Sequence, residues 1–364
     1  MPRPLRGTAR LLIRLNLSLT PKARFLLISL FSSVTLLELA EVGGALRWPA
    51  TAGTRPVSLL QDPAGLIVLA VIFVTPIFCC QQVRAIADFV SMNERNGGAA
   101  QLSACQIRQL NRLIARTNSW FAALGLRDVS AAIMAAMAVG TSLLYACVND
   151  YGLLERWNLT TLPDTVWRSE AYAGWWANWH THPDLALALC AAGTYAFYFL
   201  AKQLVMGVIF AVYLKRSAAL GFGVTPNMGF DSDGFHGLRT LRQFMLWTYS
   251  SALAHLVGLL VLFMVWLPAA PWMLFVVVGV TVVDTVLIID PSSIGYHSAL
   301  AVKQAYARSL HTSDMPPAER DAAVAQVWSV PVLPVATRRA MTGITLYLLV
   351  PAVISLVPEL VRHL

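Results

Sequence analysis

Charged residues are scarce in this sequence. Asp, Glu, Lys and Arg make up 13% of the 364 residues, whereas a soluble domain carries about 25%. The mean hydropathy is +0.61. Together these values exclude a disordered chain, a nucleic-acid-binding tail protein and an ordinary soluble globule. They predict a polytopic membrane protein.

The motifs of common enzyme classes are also missing. The sequence has no Walker loop, no H-E-x-x-H, no G-x-S-x-G and no Rossmann fingerprint. Its five cysteines are odd in number and lack C-x-x-C spacing, which predicts neither a disulfide framework nor a zinc site. A conventional enzyme is therefore disfavoured, and no cofactor is expected.

Long apolar segments are abundant. A helix needs about 20 apolar residues to cross the hydrocarbon core. Seven segments approach or exceed this length: 25–46, 63–80, 129–148, 184–213, 244–267, 271–290 and 340–358. Prolines that are favoured at the first helical position indicate helix starts. They lie at Pro21, Pro63, Pro183, Pro291 and Pro317.

The distribution of positive charge predicts the orientation. The N-terminus and alternate segments between spans hold 21 Lys and Arg residues, and the other segments hold five. Because Lys and Arg are retained on the cytoplasmic side, we expect a cytoplasmic N-terminus in a bacterial inner membrane. The formal net charge of +8 has the same explanation and does not require nucleic acid. With seven spans the C-terminus lies outside. Six spans remain if the last one, interrupted by Pro351, is re-entrant.

The predicted organisation is an all-α transmembrane helix bundle with extramembrane additions. The segments are a cytoplasmic amphipathic basic helix at 1–24, a bundle at 25–290, a cytoplasmic helical segment at 291–339 and a last span at 340–364. Within the bundle lie an amphipathic helix at 99–117 and an external Trp-rich loop at 149–183. This loop is expected to fold back onto the outer surface or to bind a partner or a sugar.

Two of these helices carry arginines at a spacing of four residues. The arginines are Arg6, Arg10 and Arg14 in the first helix and Arg108, Arg112 and Arg116 in the second. Such faces recognise anionic lipid head groups or an acidic partner, or they are ordinary positive-inside anchors.

Ionisable residues inside predicted spans are functional candidates, because burying them in lipid is costly. His255 and Asp284 lie equally far from the turn that joins the fifth and sixth spans, so we expect them at equal depth. Such a pair can bind and release a proton near neutral pH. Glu38 in the first span is a candidate continuation of the relay. The alternative is a satisfied interhelical hydrogen bond.

The loop between the fourth and fifth spans is rich in glycine and aspartate. Asp231 and Asp233 are two residues apart, and His236 follows them. The remaining ligands of a calcium loop are missing. The loop therefore leaves open a metal-dependent lipid-head-group enzyme, or a turn that caps the next span.

Two segments resemble a set of uncharacterised bacterial polytopic membrane proteins. These carry a Pro-Asp-Gly-x-x-Gly-Leu-like loop before a membrane hairpin, and a proline-rich run ending in Arg before the last span. The matching residues here run from Asp233 to Leu238 and from Pro331 to Arg339. Ser232 stands in place of the loop proline. The resemblance implies the order of the last three spans and no activity.

The sequence thus favours a channel or transporter that passes protons, ions or a small solute. The alternative is an interaction or scaffold subunit embedded in the membrane. Small residues at a spacing of four, Ala132, Ala136 and Gly140, predict close helix packing and suit a homo-oligomer.

Overall fold

A computed structural model describes residues 21–44, 58–61, 63–125, 127–151, 175–227, 237–266 and 273–329. The secondary structure of these ranges is helical, with no strand. The α-helices are α1 (Pro21–Val42), α2 (Pro63–Arg95), α3 (Ala104–Gly125), α4 (Arg127–Tyr151), α5 (Pro183–Ala219), α6 (Arg239–Trp266), α7 (Met273–His311) and α8 (Pro317–Ser329).

Four of the predicted helix starts are confirmed. Pro21, Pro63, Pro183 and Pro317 are the first residues of α1, α2, α5 and α8. Proline suits this position because its fixed φ is helical and the first turn needs no N–H from it.

The helix start predicted at Pro291 is wrong. Pro291 lies inside α7, which continues to His311. Proline removes one backbone hydrogen bond, to the carbonyl of Leu287. The helix nevertheless continues on both sides, and the Ser292 hydroxyl donates to the Ile288 carbonyl at 2.6 Å. The membrane and cytoplasmic segments predicted on either side of Pro291 are therefore one helix.

Two helices of the described ranges are long and apolar enough to cross a membrane, Leu69–Arg95 and Pro183–Ala219. A third is obtained when Ala104–Gly125 and Asp128–Leu143, which bend relative to each other, count as one span. These helices indicate a membrane protein. The predicted last span at 340–358 and the basic helix up to residue 20 lie outside the described residues.

The chain divides into two compact units. The first comprises residues 1–80, 134–200 and 261–271, and the second comprises residues 81–133, 201–260 and 272–364. Helices α2, α4, α5 and α6 contribute residues to both.

Tryptophans form the centre of the first unit. Trp175 and Trp176 are fully buried, and the Tyr145 ring stacks on Trp175 with centroids 5.8 Å apart. The Tyr145 hydroxyl donates to the backbone carbonyl of Ala177. These two tryptophans of the predicted surface loop are therefore core residues, because their rings pack against apolar helices. Trp157 and Trp167 lie outside the described residues.

A polar contact fixes one end of the second unit. Asn93, near the end of α2, is fully buried and donates to the Gly223 carbonyl at 2.6 Å. Its own side-chain oxygen accepts the Thr225 N–H at 3.1 Å. The segment that follows α5 is thereby bound to the end of α2.

Candidate polar site in the helix bundle

Three phenylalanines in the second unit set the register of α2, α5 and α6. The Phe210 ring lies 5.5 Å from Phe89 and 4.6 Å from Phe244, between centroids. Helix α7 joins this layer, because Pro291 lines the same small crevice as Phe244. We call these four residues the phenylalanine layer.

Each helix of the phenylalanine layer carries a buried polar residue seven positions away. They are Gln82 on α2, Gln203 on α5, Ser251 on α6 and Asp284 on α7, between 1% and 4% exposed. Seven residues are two helical turns, about 10.5 Å, and return the side chain to nearly the same face. We call these four residues the polar layer.

The contacts between neighbouring helices place the members of the polar layer at one level. Helices α6 and α7 are antiparallel, with Leu241 packed where a Gly295 side chain would project. A Cβ on Gly207 of α5 would lie 2.7 Å from Leu287 and 3.5 Å from the Gln82 amide nitrogen. Gln203 precedes Gly207 by one turn, and Asp284 precedes Leu287 by one turn. Gln82, Gln203 and Asp284 therefore lie within about one turn of this crossing.

Several polar atoms of this region are buried without a hydrogen-bond partner among the described residues. They include both the oxygen and the nitrogen of the Gln203 amide, the Gln82 side-chain oxygen and the Thr281 hydroxyl. Thr281 lies one turn from Asp284 on α7. Buried polar groups in proteins are nearly always hydrogen-bonded, so a polar ligand at these four atoms would complete their hydrogen bonds.

Exposed apolar residues lie at the same level. Val83, Val205, Leu253 and Val282 lie on the same four helices, next to the polar layer in sequence, and are between 39% and 59% exposed. Polar residues inside and apolar residues outside are the reverse of a soluble protein and are typical of a bundle in lipid. Arg84, exposed on α2, and Lys202, half-buried on α5, lie at the same level.

The predicted pair of His255 and Asp284 is only partly described. Asp284 is 3% exposed. The α6–α7 contacts place the backbone of His255 near the level of Thr281, about one turn from Asp284. The His255 side chain lies outside the described part, so its pairing with Asp284 stays a prediction.

The other predicted site residues lie apart from the polar layer or outside the described ranges. Glu38 is exposed on α1, in the first unit. Asp231, Asp233 and His236 fall in the gap at 228–236. Within the described residues, no group of three His, Cys, Asp or Glu side chains is arranged to hold a metal ion.

The arginines of α3 occupy the exposed face of a helix that is packed on its other face. Arg108, Arg112 and Arg116 are exposed, whereas Leu110 and Leu113 are buried. The helix begins with a capping box in which Ser103 and Gln106 hydrogen-bond each other. Arg6, Arg10 and Arg14 lie outside the described residues. The small residues Ala132 and Ala136 are exposed on α4, and the predicted oligomer stays a prediction.

The sequence did not single out Gln82, Gln203 or Ser251 as candidate site residues. Glutamine and serine are neutral, so placing these residues within an apolar span does not carry the large free-energy cost of burying a charge. A signal was nevertheless present, because Gln-x6-Phe occurs in both α2 and α5, from Gln82 to Phe89 and from Gln203 to Phe210.

No family model, curated protein or solved structure matches this chain.

Proposed function

We propose that this chain is a multi-pass protein of a bacterial inner membrane that passes protons, ions or a small solute through the second unit. The polar layer is its polar centre, and Asp284 is the ionisable residue that the moving species meets. The supporting observation is that each of four helices carries a buried polar side chain and, within two residues of it, an exposed apolar side chain.

The chemistry of the polar layer suits transient binding. One carboxyl group and two amides offer hydrogen-bond donors and acceptors, and the described residues here include no group of three metal-ligating side chains. The phenylalanine layer lies two turns away and provides an apolar constriction of the kind that closes a pathway by excluding water. A polar layer that binds the moving species, next to an apolar constriction, is an arrangement that a gating motion can open and close.

The test is transport by the purified full-length chain in liposomes. We expect wild type to move protons or alkali cations under an imposed gradient, and we expect Asp284→Asn to lose this flux. The matched control is Asp290→Asn, which changes a half-buried carboxyl on the same helix. It should keep the flux. A folded wild type without flux of protons, alkali cations or small solutes contradicts the proposal, as does full flux in Asp284→Asn.

The α3 surface favours a second candidate function, that of a membrane-embedded subunit that binds anionic lipid head groups or docks an acidic partner. Three exposed arginines on one face of α3 form a row of positive charges. The buried leucines of the opposite face hold the helix in place, so the arginines are presented on a fixed support. Each arginine near an anionic surface contributes about 1 kcal/mol.

The lipid interaction is tested by the thermal stability of detergent-purified protein with added lipid. We expect phosphatidylglycerol to stabilise wild type more than phosphatidylcholine does. Replacing Arg108, Arg112 and Arg116 by Gln should remove this difference, whereas Arg308→Gln, on the last turn of α7, should not. If the triple variant responds to phosphatidylglycerol as wild type does, α3 is not the lipid-binding surface.

A further inference from the structure

We infer that the polar layer binds water, and that the species moved through it is a proton carried on that water rather than a bare alkali cation. The water site follows from the side chains of the second unit. The identity of the moving species rests in addition on the proposed function.

The Gln203 amide defines what the ligand must supply. Its nitrogen donates hydrogen bonds and its oxygen accepts them, and both atoms are buried without a partner among the described residues. A ligand that satisfies both must contain an acceptor and a donor. A bare cation satisfies only oxygens and leaves the amide N–H groups unpaired. Water satisfies both kinds of atom and commonly makes about three such bonds when buried.

The neighbouring helices supply the further partners of the same ligand. The Gln82 oxygen and the Thr281 hydroxyl are buried and have no hydrogen-bond partner among the described residues. The contact of the Gln82 amide with α5 beside Gly207 directs the side chain toward the α5–α7 crossing. Three helices therefore present hydrogen-bonding atoms to one region, and more than one water is needed to pair them all.

Asp284 connects this water to proton movement. Its carboxyl group lies at the level of Gln203 and is 3% exposed. A carboxyl group takes up and releases protons, and hydrogen-bonded water passes them onward without moving an ion of larger size. An alkali cation would have to lose its bound water and would then bind only oxygen atoms. The amide nitrogen of Gln203, which carries hydrogens, opposes such binding.

The water is tested without reference to transport, by X-ray radiolysis of the purified full chain and mass spectrometry of oxidised residues. Radiolysis of a bound water oxidises side chains beside it, even when these are buried. Met206 lies one turn from Gln203 and is 3% exposed. Met92 is equally buried in the apolar core and is the matched control.

We expect Met206 to be oxidised in wild type, and Met92 to remain unlabelled. In Gln203→Leu the labelling of Met206 should fall to the level of Met92. If Gln203→Leu does not fold, Gln82→Leu serves the same purpose, and its loss of labelling also supports the water site. Equal labelling of Met206 and Met92 in wild type overturns the site, and so does unchanged labelling in the folded variants.

Flux measurements on the same preparations test the moving species. Proton flux that is lost together with Met206 labelling in Gln203→Leu supports the whole inference. Sodium or potassium flux without proton flux shows that the moving species is not a proton, even when Met206 is labelled. Labelled Met206 in a wild type without any flux contradicts the proposed function and leaves the water site supported.

Discussion

Asn93 offers the sharpest test of how the second unit is held together. It is fully buried and connects the end of α2 to the segment after α5 through Gly223 and Thr225. The perturbation is Asn93→Ala, which removes a donor and an acceptor together. It leaves the Thr225 N–H and the Gly223 carbonyl in a buried region without these partners.

The magnitude follows from those two groups. Each buried group left unpaired costs about 1–3 kcal/mol. With two such groups, we expect Asn93→Ala to lower the free energy of unfolding by about 2–6 kcal/mol. Thr225→Val removes the hydroxyl, which donates to the side-chain oxygen and the backbone carbonyl of Asn93 at 3.1 Å each, and should cost about 1 kcal/mol.

The assay is thermal unfolding in detergent, followed by tryptophan fluorescence. A loss of 1 kcal/mol lowers the midpoint by roughly 2 °C in a protein of this size. Asn111→Ala is the control, because Asn111 is exposed on α3. The predicted role of Asn93 is wrong if Asn93→Ala lowers the unfolding midpoint no more than Asn111→Ala does. It is also wrong if Thr225→Val lowers the midpoint as much as Asn93→Ala does.

Three further variants test other contacts by the same measurement. Gly207→Ala places a Cβ 2.7 Å from Leu287 and should cost about 1–3 kcal/mol, part of which Leu287→Val recovers; additive effects of the two changes would contradict the contact. Tyr145→Phe keeps the stacked ring but removes a buried hydroxyl donor, and should cost about 1–2 kcal/mol; an unchanged midpoint would count against this hydrogen bond. Trp328→Ala removes a ring 5.6 Å from the Lys303 ammonium and should cost about 1 kcal/mol, more than an alanine at exposed Gln326.

Helix starts were well predicted from sequence because proline acts locally. A fixed φ at Pro63 or Pro183 needs no knowledge of the rest of the chain. The same rule failed at Pro291, where one missing backbone hydrogen bond does not interrupt the long helix α7. Helix ends were harder to predict, since α2 and α5 continue beyond their apolar stretches to Arg95 and Ala219.

The candidate site depends on the rotation of each helix about its own axis. The amino-acid composition does not determine that rotation. Asp284 was identified because a carboxylate inside an apolar span is costly. Gln82 and Gln203 gave no such signal, and their relation to Asp284 appears only once Phe210 is seen between Phe89 and Phe244. The depth of one residue follows from counting along its helix, whereas the side that it faces depends on packing.

Proton transport is tested by the voltage at which proton flux vanishes in proteoliposomes of the wild-type chain. We predict that this voltage shifts by about 59 mV for each unit of pH difference across the membrane, the value for a single transferred charge. Replacing sodium by potassium should leave it unchanged, and Asp284→Asn should abolish the flux. A voltage that follows the sodium gradient and ignores pH would show that the protein does not move protons.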